Sequence, residues 1–327
     1  MNSNATENYF NDRDFSEIVE AGTLTLPREK IGGAFLYEGT TTYLFSRTNY
    51  GKSLLVFQFA CAAATGTSIG PGTALQNKCS PMKVVVVDLE LDEYDLTQRH
   101  MRSLCFMDPS HLPNLRYLHV YKEKQMVLGM GLLEKISEYI FRHQPKLVII
   151  DNMSGLLPDS LKPELVTMVI TFLNQVRKIT GASILVIGHT TKGNPKIAIQ
   201  PTDYFGSSMV QNFFSEVSFL DRTNDGKYFL CHAKTKREEC YTDTVPVFTR
   251  GEHPVIGVGF TFESLRSLSD IQLPFTLEPD RKSTRSRNLA EYRDCVEALL
   301  EKGKSQRRIA QFAGVSHPAI THLLNQK

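Results

Sequence analysis

The chain has 327 residues, enough for one large domain or two unequal ones at about 100–200 residues each. Hydrophobic residues make up 41% and charged residues 22%, which excludes disordered, collagenous and coiled-coil chains, and no apolar stretch approaches the roughly 18 residues of a membrane span. The net charge of +2 excludes a uniformly basic nucleic-acid binder, and the six cysteines form no CxxC pair, which excludes a zinc ribbon or disulfide framework and fits a reducing cytoplasm.

Residues 1–24 are a polar segment without an apolar signal core. Residues 41–45 predict a short strand, and the apolar stretch 52–64 a buried helix. A Gly- and Pro-rich loop follows at 66–72. Residues 83–88 (KVVVVD) are a β-branched run ending in an acid, as expected of a strand covered on both faces. Residues 91–104 have mixed helical periodicity, and 115–120 predict another strand. Leu132, Leu133, Ile136, Tyr139 and Ile140 fall at helical spacings within 132–141. Residues 147–151 (LVIID) form a second apolar strand ending in an acid. Pro163 opens a helix that runs to about residue 180. Residues 183–188 (SILVIG) predict the next strand.

Strands alternating with helices imply an α/β fold, a mostly parallel sheet with helices on both faces. Ligands of such sheets bind beyond the carboxyl ends of the strands. The residues there are Ser46, Asp88, Glu90, Asp151 and His189. From residue 217 the texture changes to shorter strands at 217–220, 227–233, 245–248 and 257–262, with Asn224-Asp225-Gly226 as a hairpin turn. Residues 265–288 are rich in Ser, Pro and charge and read as a linker. Residues 289–327 form a small helical unit. Residues 281–327 carry ten Lys and Arg against four Asp and Glu, a net of +6, so the first 280 residues sum to −4. A slightly acidic body carries a basic C-terminal module, a pattern suited to a catalytic body whose tail meets nucleic acid.

Between the first strand and the first helix lies Ser46-Arg47-Thr48-Asn49-Tyr50-Gly51-Lys52-Ser53, followed by Leu54. This is the GxxxxGK[ST] phosphate loop in its expected context, with Ser46 in place of the first glycine. Its backbone amides and the helix N-terminus suit an anion. Lys52 would neutralise the outer phosphates of ATP, and the Ser53 hydroxyl would ligate Mg²⁺. Asp151 ends its strand as a Walker B carboxylate does, holding the Mg²⁺ shell. Glu90 follows Asp88 in Asp88-Leu89-Glu90, placed to act as general base toward a water.

The order P-loop, Asp-x-Glu, Asp151-Asn-Met-Ser-Gly-Leu and Gly188-His-Thr-Thr-Lys resembles the RecA-type ATPases, and most of all their RepA-like hexameric helicase branch. The resemblance covers about residues 25–262 and implies a RecA-like core, a domain spanning 25–264, with ATP at a subunit interface. It implies that Glu90 is the catalytic glutamate and His189 the polar sensor linking the γ-phosphate to DNA-binding loops. His232-Ala-Lys-Thr-Lys-Arg resembles the family's Lys-x-Arg element, which reaches a neighbour's ATP site. Lys234 matches its Lys, Lys236 stands where Arg is expected, and Arg237 comes one place late. The resemblance also implies that loops near 154–162 and 192–203 face DNA, the second with Lys192 and Lys196.

In the C-terminal unit, 289–300 predicts an amphipathic helix. Ser305 caps a second helix over 306–313. Gly314-Val315-Ser316 is a tight turn, and Ser316 caps a third helix with Pro318 in its first turn. The string GKSQRRIAQFAGVSHPAITHLLNQ resembles the helix-turn-helix of resolvases and bacterial regulators. That resemblance implies that Ser316, His317, Ala319, Thr321 and His322 lie nearest the bases and that Lys304, Arg307 and Arg308 hold phosphates. The whole reading is a cytoplasmic, DNA-associated, Mg²⁺-dependent ATPase, helicase-like and homo-oligomeric, with a hexamer favoured. It would serve the replication or maintenance of a plasmid or mobile element. The alternative is an ATP-regulated DNA-binding protein that unwinds nothing.

Overall fold

The computed structural model describes residues 16–17, 19–20, 27–68, 73–91, 94, 109–120, 130–156, 163–190, 199, 210–223, 225–237, 240–253, 257–271, 296–297, 300–301, 305–313 and 317–325. The N-terminal segment to residue 15, residues 95–104 of the stretch with expected helical periodicity, Lys192, Lys196, Lys304 and Ser316 lie outside the described residues. The chain divides into a large unit, Met1–Asn194 with Ile199–Leu273, and a small one, Pro195–Ala198 with Pro274–Lys327.

Among the described residues the large unit is built on one nine-stranded sheet. Its strands are β1 (Thr41–Ser46), β2 (Val84–Asp88), β3 (Leu115–His119), β4 (Leu147–Asp151), β5 (Ser183–His189), β6 (Glu216–Arg222), β7 (Tyr228–Lys234), β8 (Thr244–His253) and β9 (Gly257–Ser267). The order across the sheet is β3-β2-β4-β5-β1-β6-β7-β8-β9. The first six in that order are parallel, and β6 to β9 form an antiparallel meander. Strands β1, β2 and β4 are buried along their whole length, which explains their unbroken apolar sequence.

Among the described residues three long helices connect the parallel strands: α1 (Lys52–Thr65), α2 (Met130–His143) and α3 (Pro163–Thr180). The connection through α1 runs across the sheet in one direction, and those through α2 and α3 run in the other. Right-handed crossovers therefore put α1 on the opposite face from α2 and α3. The last two bury one stripe each, Leu132, Leu133, Ile136 and Ile140 on α2 and Val166, Val169, Ile170, Leu173 and Val176 on α3. Helix α1 differs, because nearly all its residues are buried. It packs against the parallel strands β1 to β4 and also against β9, so its sequence has no polar face. Gln58 of α1 is buried too, and exchanges two hydrogen bonds with the backbone of Phe260 on β9, at 2.8 and 2.9 Å.

Two boundaries differ from the sequence reading. The linker expected from residue 265 starts later: Leu265–Ser267 pair with Thr244–Pro246 of β8, and Ile271 is buried in the core. The Ser and Arg residues of this stretch are surface positions of an edge strand, which composition alone cannot tell from a linker. The hairpin strands β8 and β9 are also longer than the apolar runs that announce them. In the small unit, α4 (Gln306–Ala313) and α5 (His317–Asn325) bury Ile309, Ala310, Ile320 and Leu323 together with Val296. Among the described residues no helix is long and apolar enough to cross a membrane.

Candidate nucleotide site

The carboxyl ends of the parallel strands meet where the sequence places its polar residues. Ser46 stands opposite His189 across β1 and β5, and Asp88 opposite Asp151 across β2 and β4. The P-loop leaves β1 and enters α1 at Gly51, whose φ of 89° is the left-handed conformation glycine adopts without strain. Asn49 also has positive φ, at 66°, a conformation Asn tolerates better than most side chains. Ser46 does not: it is the last residue of β1, fully buried, and its hydroxyl donates to Arg47 O at 2.9 Å. A serine in place of the first glycine therefore costs no backbone strain here.

A cavity of about 480 Å³ opens over the loop, lined by Thr48, Asn49, Gly51, Lys52, Ser53 and Leu54, by Glu90 and His189 on one side, and by Arg250 and Val258. Of the nine P-loop positions, Ser46, Arg47 and Tyr50 are not among the lining residues. Arg47 lies 3.8 Å from the buried carboxylate of Asp221, and Arg222 packs over the Tyr50 ring at 4.8 Å. The bulky Tyr50 is thus accommodated outside the cavity, by residues of β6.

Lys52 is 5% exposed. Its ammonium donates to the carbonyls of Ser46 and Arg47 at 3.3 and 3.1 Å and lies 3.3 Å from His189 Nδ1. Burial pushes its pKa down to about 8, against the upward pull of Asp151 and Glu90. Burial pushes Asp151 up to about 6; a hydrogen bond from the Ser53 hydroxyl pulls it down, Asp88 and Glu90 push it further up, and Lys52 pulls it down. His189 is held below the usual histidine range by burial and then by Lys52, with Glu90 acting the other way. Asp88 itself does not line the cavity. Its carboxylate accepts from the backbone amides of Glu90 and Leu91 at 2.7 and 2.8 Å and from the Tyr117 hydroxyl. It fixes the turn that carries Glu90, whose side chain is exposed.

The donor set fits Mg²⁺ with a nucleotide. The Ser53 hydroxyl and the Asp151 carboxylate are already paired, and among the described residues no cluster of three or more His, Cys, Asp and Glu competes for an ion. Mg²⁺ takes one or two protein oxygens and completes its shell with phosphates and water. Lys52 meets the other requirement, a buried cation over a loop of left-handed turns.

A family model described as an AAA domain matches residues 12–195, just over half of the chain. The chain belongs to this AAA-domain family. Among solved structures, that of a KaiC-like protein from Pyrococcus horikoshii is 15% identical, covers 72% of this chain and 99% of that one, and superposes with a TM-score of 0.50. At that identity the likeness speaks to fold. No curated protein matches the chain. The large unit of this family member is accordingly a P-loop ATPase domain with a RecA-like fold, as its sequence motifs lead one to expect.

The remaining expected residues lie in several places. Lys234 ends β7 and is half-buried, its pKa lowered by burial and by Lys236. Lys236 is exposed. Arg237 faces its own chain: its Nε lies 3.5 Å from the fully buried Glu216 carboxylate, and its guanidinium packs over Tyr37 at 5.1 Å. On the small unit, Arg307, His317 and His322 are exposed, and Arg308 and Ala319 lie on α4 and α5. Thr321 is half-buried, and its hydroxyl donates to Gln306 Oε1 at 3.1 Å, joining the two helices.

Three site residues went unread in the sequence. Asn152, next to Asp151, donates from Nδ2 to Glu90 Oε2 at 2.7 Å; its adjacency to the strand-end acid was the available signal. Arg250 and Val258 come from the hairpin some 200 residues downstream of the P-loop, and no local pattern announces them.

Proposed function

We propose that this ATPase is DNA-associated and Mg²⁺-dependent, and works as a helicase-like homo-oligomer, a hexamer by its family resemblance, in the replication or maintenance of a plasmid or mobile element. The observation that carries the catalytic part is the convergence of Lys52, Ser53, Glu90 and His189 on one cavity, with Asp151 hydrogen-bonded to the Ser53 hydroxyl. Lys52 binds the outer phosphates, and its burial strengthens that contact. Ser53 and Asp151 hold Mg²⁺, which when bound offsets charge on the phosphate oxygens. Glu90, on an exposed turn braced by Asp88, orients the attacking water and takes its proton. His189 joins the phosphate site to the loop that follows β5. Lys236, exposed beside the inward-turned Arg237, is the residue that reaches a neighbouring copy's site.

The net charge of +6 over residues 281–327 supports the DNA part. Arg307, with Lys304 and Arg308, holds duplex phosphates, and Ser316, His317, Ala319 and His322 read bases. Lys192 and Lys196 contact a single strand. One such unit binds weakly, and several copies in an oligomer raise its effective concentration.

The second reading, an ATP-regulated DNA-binding protein without unwinding, is favoured by one observation: Arg237 is spent within its own subunit. Unwinding of a forked duplex by the full-length protein with Mg²⁺ and ATP separates the two. Strand separation that Lys52→Ala abolishes supports the motor. ATP-dependent duplex binding without strand separation supports the regulator.

A further inference from the structure

We infer that Arg250 is a second cationic contact to the nucleotide, made in cis, holding phosphate oxygens at the end of the phosphate chain remote from Glu90. The inference rests on the nucleotide-site reading above and adds a residue to it. Arg250 pairs in register with Phe260 across β8 and β9. Phe260 is the residue fastened to Gln58 of α1 by two backbone hydrogen bonds. Its ring lies so close to Gly51 that a Cβ there would meet it at 2.9 Å. The same Cβ position is 3.5 Å from Arg250 Nη1. Register, helix anchor and ring contact therefore fix the guanidinium beside the P-loop backbone, on a cavity wall it shares with Val258.

Charge gives this position a ligand. Lys52 is buried beside Asp151 and Glu90, so without Arg250 its single positive charge faces two carboxylates. A polyphosphate entering there needs a further cation. Among the described residues Arg250 makes no ion pair, and its side chain is exposed, ready to meet an anion. Glu90 and His189 come from the ends of β2 and β5, on one side of β1, whereas β8 and β9 follow from β6 and β7 on the other side. The γ-phosphate faces Glu90, so Arg250 meets the inner phosphates that ATP and ADP share. Arg suits this task, since its planar fork binds two phosphate oxygens at once.

The test is equilibrium binding of Mg²⁺-ATP, Mg²⁺-ADP and adenosine to the full-length protein and to Arg250→Ala, Arg250→Lys and Lys52→Ala. Arg250→Ala should weaken ATP and ADP by a similar factor, about tenfold, with adenosine unaffected and Arg250→Lys intermediate. Unchanged affinity for both nucleotides overturns the inference, and so does a loss confined to ATP, which would put Arg250 on the γ-phosphate. If the wild type binds neither nucleotide, or Lys52→Ala binds both as well as wild type does, the nucleotide-site reading itself fails. Arg250 is exposed, so its variants should melt as the wild type does, and melting curves check that the binding loss is local.

Discussion

Asn152 Nδ2 donates to Glu90 Oε2 at 2.7 Å and lies 3.3 Å from His189 Nε2. The amide orientation is fixed, because Asn152 Oδ1 accepts from the backbone N–H of Gly155 at 3.3 Å and from the Ser154 hydroxyl. The other ring nitrogen of His189 faces the Lys52 ammonium at 3.3 Å. Both nitrogens of His189 thus face donors, and a neutral imidazole accepts at only one of them. A phosphate oxygen accepting from Lys52 would relieve the conflict. Lys52, His189, Asn152 and Glu90 form one connected polar chain from the P-loop to the proposed general base.

The first prediction follows from that chain. Asn152→Ala leaves Glu90 without its side-chain anchor, so kcat should fall about tenfold or more while KM changes little. Asn152→Asp should be worse, because it sets a second carboxylate beside Glu90. Steady-state kinetics with nucleotide Kd measurements check this; a rise in KM at unchanged kcat would contradict it.

Asp151 gives a pH-dependent signature in the nucleotide-free protein. Its folded pKa of about 6 exceeds the ordinary value of 3.8, so the folded state holds the proton more tightly than the unfolded chain. This contribution favours folding below about pH 4 and is lost as pH rises through about 6, by roughly 3 kcal/mol in all. Asp151→Asn removes it. The variant's melting temperature relative to wild type should therefore rise between pH 4 and pH 7. A difference that is flat with pH would contradict the assignment. Lys52 loses its partner in the variant, so the net gain should be smaller than the full contribution.

Much of this was legible in the sequence, and the exceptions share a cause. The strands of residues 83–88 and 147–151 are announced by apolar runs ending in acids, because a strand buried on both faces can carry polarity only at its ends. The P-loop is readable because its anion chemistry is local in sequence. Arg250 and Asp221 are not, because their roles arise from pairing between distant strands. The role of Arg237 depended on a buried partner, Glu216, which nothing in the Lys-Thr-Lys-Arg string reveals. Ser46 looked like a departure from the loop pattern, yet the left-handed turns fall at Asn49 and Gly51.

Lys236 and Arg237 should separate cleanly. Arg237→Ala leaves the buried Glu216 without its ion pair, and should destabilise the fold by about 1–3 kcal/mol, read by chemical denaturation. Lys236→Ala should melt as wild type does but lose ATP turnover in the oligomer. Mixing it with Lys52→Ala subunits should restore part of that activity, since each variant supplies what the other lacks. Absence of complementation would place Lys236 outside the neighbour's site.

On the small unit, Thr321→Val removes the hydrogen bond to Gln306 and should loosen the two helices by about 1 kcal/mol. Arg307→Ala should lower the slope of log affinity against log salt for duplex binding by about 0.9, one phosphate contact. An unchanged slope would remove Arg307 from the DNA interface.

The central claim is that the cavity over Lys52 hydrolyses ATP in response to DNA. The most direct measurement is Mg²⁺-ATP turnover with and without single-stranded DNA, for wild type, Lys52→Ala and Glu90→Gln. The account predicts turnover that rises with DNA and vanishes in both variants, with ATP binding kept in Glu90→Gln. Tight ATP binding with negligible turnover, indifferent to DNA, would contradict it.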